Sequence, residues 1–386
     1  LGNSPAAAAP GRLLSLDAFR GATVAAMLLV NNPGSWSDVY PPLLHAPWHG
    51  WTFTDLIFPF FLWIVGVAMT LSFAKRAERG DTPGRIFRHV VTRSAIIFAI
   101  GIFLAAFPFG LLSAHHFSLA TLRIPGVLQR IAVCYLLASA ITLHTTWRGQ
   151  VGWIVALLAG YWLLVMLVPV PGYGAGVLEP TGSLAWYLDS TLLAGHTWSG
   201  APAPGFDPEG ILSTVPAVAT TLFGVLAGNL LRTRATEEAK TAWLFVGGET
   251  LLLAGVIMNH WLPINKNLWT SSYAVFMAGW ATVVLATCYW FIDVKGYRRW
   301  AHPFVVYGMN AIVIFALSGI VAKLLYLVRW TGADGASVTL KGFIYDGLFT
   351  PVASPVNASL FFAIAFVLAG YLVAEWMWRR GWFVRI

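Results

Sequence analysis

Residues 52–74 read Thr-Phe-Thr-Asp-Leu-Ile-Phe-Pro-Phe-Phe-Leu-Trp-Ile-Val-Gly-Val-Ala-Met-Thr-Leu-Ser-Phe-Ala, and Lys75 and Arg76 follow at once. Past Asp55 the run carries no charge, and it is longer than the ~20 residues an apolar helix needs to cross a bilayer core. Similar runs lie at roughly 14–31, 90–112, 124–145, 150–170, 210–231, 241–262, 268–292, 302–327 and 356–378, ten spans in all. Lipid cannot satisfy an open backbone, so each run is expected to be a helix. Hydrophobic residues make up 58% of the chain and charged residues 10%, against about 25% charged in soluble domains. The expected class is therefore an all-α polytopic integral membrane protein, with the lipid bilayer as its surroundings.

Charge sets the expected orientation. Lys75, Arg76, Arg79, Arg85, Arg88 and Arg93 follow the second span. Arg148, then Arg232, Arg234 and Lys240, then Lys295, Arg298 and Arg299, occupy alternate connections, with Arg12 and the C-terminal Arg379, Arg380 and Arg385 on the same side. The opposite side holds only Arg123, Lys266, Lys323, Arg329 and Lys341. The positive-inside rule then puts both termini in the cytoplasm, as in a multi-pass protein of the inner (cytoplasmic) membrane. The net charge of +8 is explained by this bias, and no basic and aromatic module for nucleic acid stands outside the spans. Residues 1–11, rich in Ala and Pro, read as a disordered tail, and no cleavable signal stretch stands out. Cys134 and Cys288 fall inside spans, so no structural disulfide is expected.

Two outer connections follow from this orientation, 31–51 and 171–209. The first, with Pro33, Pro41, Pro42 and Pro47, reads as a non-helical loop tucked against the helices. It carries Asn31, Asn32, Asp38, His45 and His49 with no Lys or Arg. The second has Glu179, Asp189, Asp207 and Glu209, again without a basic residue. Long connections of this kind are often functional. His45 and His49 lie four apart with Asp55 beyond. A metal would need a third ligand that is not evident, so none is assigned. An imidazole oriented by a carboxylate is a general base near neutral pH; a histidine hydrogen-bonded at the membrane interface is the alternative. Trp36, Trp48 and Trp51 suit either an interfacial belt or stacking on a sugar ring. Asp17 and Arg20 share a face of the first span. Arg130 enters the fourth span from outside and needs an internal partner, for which an anion in a central cavity is one candidate. Asn310, in the ninth span, suits an interhelical hydrogen bond. Gly224, Ala227 and Gly228 suit close packing of a helix within the chain or across a homo-oligomer.

Several stretches together resemble the heparan-α-glucosaminide N-acetyltransferase family: Leu-Asp-Ala-Phe-Arg-Gly (16–21), His-Ala-Pro-Trp-His-Gly-Trp-Thr-Phe-Thr-Asp-Leu-Ile-Phe-Pro-Phe-Phe (45–61), Ile-Pro-Gly-Val-Leu-Gln-Arg (124–130), Asp-Pro-Glu-Gly (207–210), Pro-Ile-Asn-Lys-Asn-Leu-Trp (263–269) and Asp-Val-Lys-Gly (293–296). The resemblance implies one transmembrane acyltransferase domain over 1–386. It would move an acetyl group from cytosolic acetyl-coenzyme A to the amine of a glucosamine-type sugar or oligosaccharide on the far side. It places the active-site histidine on His45 and its partner asparagine on Asn31. Asp55 would orient His45, and the Asn31 amide would donate to the oxyanion. Asp17, Arg20, Arg76 and Arg130 become candidates for the coenzyme. Trp48, His49, Asp207, Glu209, Asn265 and Lys266 become candidates for the acceptor. Two other readings stay open, a secondary transporter of sugars or amino sugars and a glycan O-acyltransferase. Transporters tend to carry paired broken helices; the sequence shows one broken region, at 31–51, and no counterpart in the second half.

Overall fold

The computed structural model describes residues 13–111, 117–332 and 335–384; the expected 1–11 tail, Arg12 and Arg385 lie outside the described residues. Helices dominate, in the order α1 (Leu14–Asn31), α2 (Ile57–Glu78), α3 (Pro83–Ala106), α4 (Val127–His144), α5 (Trp147–Leu167), α6 (Leu184–Leu192), α7 (Thr214–Leu231), α8 (Glu237–Met258), α9 (Ser271–Cys288), α10 (His302–Met309), α11 (Ala311–Leu327), α12 (Leu340–Leu348) and α13 (Pro355–Arg379). A 3₁₀ turn at Phe53–Leu56 leads into α2, and a π-helical turn at Tyr289–Val294 extends α9. Among the described residues nine helices are long and apolar enough to cross a membrane, and α10 with α11 make ten if counted as one span. The chain is an all-α polytopic membrane protein.

Burial separates inner from outer helices. Two thirds of the apolar window of α2 and of α7 is buried, against 22% for α8 and α13, whose remaining surface is apolar side chains suited to lipid. Close approach at the centre depends on small residues, as expected where lipid tails are as apolar as the helices themselves. Gly66 of α2 lies against the backbone of Thr221 and Val225, and Gly224 of α7 against that of Trp63. Gly228 packs on Thr70 and Val67, so the small-residue face of α7 is used inside the chain.

Three features depart from the sequence reading. The ninth expected span, 302–327, is broken by 80° between α10 and α11. Asn310 sits at the break, fully buried, with φ −122° and ψ 32°. Its Nδ2 donates to the Trp382 carbonyl (3.0 Å) and its Oδ1 accepts from the Val384 amide (3.0 Å), so it binds the C-terminal segment after α13. A broken helix in the second half is therefore present after all, and local hydropathy does not reveal it. The 171–209 connection contains α6. The connection after α11 folds into an antiparallel hairpin, β1 (Arg329–Thr331) with β2 (Ser337–Thr339), in the register Arg329–Thr339, Trp330–Val338, Thr331–Ser337, and then α12.

Candidate active site

His45 is placed by its own loop. Thr52 and Asp55 form a capping box at the 3₁₀ turn before α2. Asp55 is 1% exposed. Its Oδ2 accepts from the Ala46 amide (3.0 Å) and the Thr52 amide (2.9 Å), while its Oδ1 lies 2.6 Å from His45 Nδ1. A carboxylate has no proton to give, so His45 donates from Nδ1, and in the neutral ring Nε2 presents a lone pair. The His45 side chain is 48% exposed, so the ring can be reached by a ligand while its orienting carboxylate is dry. Tyr273 of α9 donates to the Asp55 carbonyl (2.6 Å), which fixes the turn from behind.

A second loop, 263–270, closes on the first. The Gly50 amide donates to the Ile264 carbonyl (2.7 Å), Asn265 Nδ2 donates to His49 Nδ1 (3.3 Å), and Lys266 Nζ lies 3.3 Å from His45 Nε2. More than two hundred residues of chain separate these partners. Asn265 is fully buried, and its Oδ1 accepts from the Leu268 amide (2.8 Å). Thr270 caps α9 and donates to the Pro263 carbonyl (2.8 Å). Trp269 takes φ +51°, a left-handed conformation costing about 1–3 kcal/mol for a bulky residue. Its indole is 1% exposed and donates to Thr220 Oγ1 (3.1 Å), and this burial offsets the strain. Burial pushes the Lys266 ammonium below its ordinary range, against the pull of Glu209 and Asp55.

The remaining candidates fall into three groups. Trp48 joins the site, donating from its indole to the Leu178 carbonyl (2.8 Å) and packing edge-on to Phe206, so it ties the His45 loop to the 171–209 connection. Asp207 and Glu209 belong to an anchor under that connection. Asp207 is fully buried and accepts from Arg123 Nε (2.9 Å) and Nη2 (2.7 Å) and from the Trp198 and Glu209 amides (2.9 Å each). Arg123 also reaches Glu209 (2.5 Å). Burial works against the Arg123 charge, but Asp207 and Glu209 hold it above its ordinary range; Arg123 in turn holds Glu209 below its own despite burial. Nearby, burial pushes the Asp189 carboxyl up to about 6. Removing one member of such a set leaves the rest unpaired. Arg123→Met should therefore cost about 3 kcal/mol, the low end for a buried pair because Arg123 is partly exposed, read as a lower midpoint of thermal unfolding in detergent. Arg123→Lys should lose less.

Arg130 is 2% exposed, in the first turn of α4. It donates to the Gly210 carbonyl (3.2 Å) and to Ser213 Oγ, and lies over the rings of Trp269 and Phe58. Its internal partners are thus the outer connection and the 263–270 loop. Arg76 stands at the other end of α2 from Phe58, roughly 27 Å away along the helix, bonded to Asp81 (3.2 Å). Arg130 and Arg76 cannot hold the same phosphate. Arg20 pairs with Asp17 (3.1 Å) and reaches the Gly308 carbonyl (3.3 Å), joining α1 to α10. Asn31 is exposed at the end of α1, on the wall of a 120 Å³ cavity shared with Asn32, Trp36, Tyr326, Lys341 and Phe362. No hydrogen bond joins it to His45 among the described residues.

A family model described as heparan-alpha-glucosaminide N-acetyltransferase, catalytic, matches residues 12–264. The human heparan-alpha-glucosaminide N-acetyltransferase is 32% identical over 357 residues, covering 80% of this chain and 53% of the human protein. The mouse protein of the same name is 31% identical over 353 residues, covering 79% and 53%. The chain spans about half the length of the curated relatives it matches.

Proposed function

The chain belongs to the heparan-alpha-glucosaminide N-acetyltransferase family, and from that premise we propose that it is a transmembrane acetyltransferase, taking an acetyl group from acetyl-coenzyme A and placing it on the amine of a glucosamine-type sugar. The observation that supports this most is the His45–Asp55 pair, with one ring nitrogen held by a buried carboxylate and the other on the exposed side of the ring, facing Lys266. In this reading the sugar amine attacks the thioester carbon, a C–N bond forms, the C–S bond breaks, and the coenzyme leaves as thiolate. The amine proton passes to His45 Nε2 and then to the thiolate. His45 acts as base in a ternary complex or carries the acetyl group itself.

The charge bias supports basic loops on the cytoplasmic face and His45 on the opposite face, and in this reading the chain sits in the inner membrane. The donor's nucleotide end would meet Arg20, Arg76 and the α2–α3 hairpin. Its acyl arm would pass between helices, because an extended arm on the surface is shorter than the ~30 Å hydrocarbon core. Asn31, on its cavity wall, would donate to the thioester carbonyl. Trp48, His49 and Asn265 would border the acceptor.

The transporter reading gains a broken helix from Asn310, but both functional atoms of that side chain are used by Trp382 and Val384, so the Asn310 side chain is committed to the fold rather than to a ligand. Labelled acetyl-coenzyme A and glucosamine, incubated with the purified chain in detergent, should yield base-stable N-acetylglucosamine. A base-labile product would identify an O-acyltransferase instead, and no transfer to any amino sugar would reject the acetyltransferase.

A further inference from the structure

Attack of an amine on a thioester builds negative charge on the carbonyl oxygen while a proton leaves for the base. A site that speeds this step holds a group for each. His45 serves the proton. The donor that touches His45 is Lys266, whose Nζ lies 3.3 Å from Nε2.

We propose that Lys266 is the catalytic cation that stabilises the oxyanion, a role that rests on the acetyltransferase reading above. In the resting site its ammonium donates to His45 Nε2. The acceptor amine takes that nitrogen, and the displaced ammonium turns to the carbonyl oxygen, which lies one bond from the carbon under attack. The intermediate collapses with the electron pair returning to the C–O bond, the C–S bond breaking, and the thiolate taking the proton from His45. Any atom hydrogen-bonded to Nε2 is within a single contact of Nζ, so the displacement needs only a side-chain rotation. The Lys266 backbone is already held: its carbonyl accepts from the Trp269 amide (3.1 Å), and its neighbour Asn265 is locked by Leu268 and Thr270. A side chain that must move stands on a loop that does not.

The charged groups facing Lys266 come from every element around it: His45 and Asp55 from the first loop and its turn, Glu209 and Arg123 from the outer anchor, and Arg130 from α4. Burial and the two arginines weaken the ammonium, while Glu209 and Asp55 support it. A lysine gives the oxyanion a full opposite charge only while protonated, and the neutral amine is a much weaker donor. Activity should therefore fall at alkaline pH, as Lys266 loses its proton, and at lower pH than for a free lysine.

The test compares Lys266→Met, Lys266→Arg and Asn31→Ala in the full chain with glucosamine as acceptor. Lys266→Met should lower kcat by about 10²–10³-fold, the loss seen on removing one oxyanion donor, with KM for glucosamine nearly unchanged and the midpoint of thermal unfolding preserved. Lys266→Arg should recover part of that loss, and its alkaline fall should vanish, because guanidinium stays charged. The proposal is overturned if Lys266→Met keeps the wild-type kcat, or raises only KM, which would mark uniform binding of the acceptor. It is also overturned if the alkaline limb persists in a folded Lys266→Arg, or if Asn31→Ala lowers kcat more than Lys266→Met does. Failure of the wild type to transfer acetyl at all would remove the underlying reading and the proposal with it; transfer by the wild type with no Lys266 effect removes only the proposal.

Discussion

Asp55→Asn should lower kcat by about 10⁴-fold, the scale of loss when a carboxylate that sets a catalytic histidine's tautomer becomes an amide. Asp55 has two oxygens, and each is committed. Oδ1 receives the His45 Nδ1 proton, and Oδ2 receives the Ala46 and Thr52 amides. An asparagine has one oxygen. If its Nδ2 faces His45, the ring must accept at Nδ1 and carry its proton on Nε2, leaving no lone pair for the incoming amine. If its Nδ2 faces the loop, donor meets donor at two backbone amides, and a buried group left unsatisfied costs about 1–3 kcal/mol. The first outcome removes the base; the second keeps the tautomer but breaks the capping box that positions His45, and because it leaves two backbone amides unpaired the first orientation is the expected one. Asp38→Asn is the control: Asp38 sits in the same connection, and its side chain accepts from the Ser35 and Ser37 hydroxyls rather than from His45. Steady-state acetylation rates with thermal unfolding curves for both variants decide the matter. An Asp55→Asn enzyme within tenfold of wild type would mean that His45 is not oriented by Asp55 during turnover.

How far this site can be read from the sequence depends on the range of each interaction. The ten runs are visible because transfer into lipid acts on every residue of a span, and nine of them emerge as membrane-length helices. His45 and Asp55 are visible because a loop of ten residues brings them together and local chemistry suffices. Lys266 suggests itself only through the Pro-Ile-Asn-Lys-Asn-Leu-Trp motif. Its contact with His45 spans 221 residues, and no periodicity encodes that. The Arg123–Asp207–Glu209 anchor is hidden for the same reason: acidic residues in an outer connection look free until a cation 84 residues away is found against them. The break at Asn310 is invisible to hydropathy, because α10 and α11 are both apolar. What bends the chain there is a polar side chain satisfied by residues beyond α13.

Gly224→Leu should cost the protein its fold in detergent, and Gly224→Ala should already lower the unfolding midpoint by several degrees. A Cβ at Gly224 would stand 2.0 Å from the Trp63 carbonyl oxygen and 3.2 Å from Gly66 Cα, and a Cβ at Gly66 would stand 2.0 Å from the Thr221 carbonyl oxygen. These neighbours are backbone, which cannot rotate aside, so α2 and α7 must separate. Overpacking typically costs about 1–3 kcal/mol, and more when a helix pair must shift. Here the separation also strips contacts from Leu62, Leu222 and Val225, all fully buried in one cluster. Gly160→Ala in α5 is the control, since a Cβ there meets nothing within 4 Å and alanine is the better helix former. The consequence reaches the chemistry. Asp55 stands in the turn that opens α2, and Trp269 packs edge-to-face with Phe58 one turn further in. Moving α2 away from α7 displaces the carboxylate and the 263–270 loop together, so activity should be lost at temperatures where much of Gly224→Ala is still folded. If Gly224→Ala unfolds and turns over like the wild type, the close α2–α7 crossing is not what positions the site.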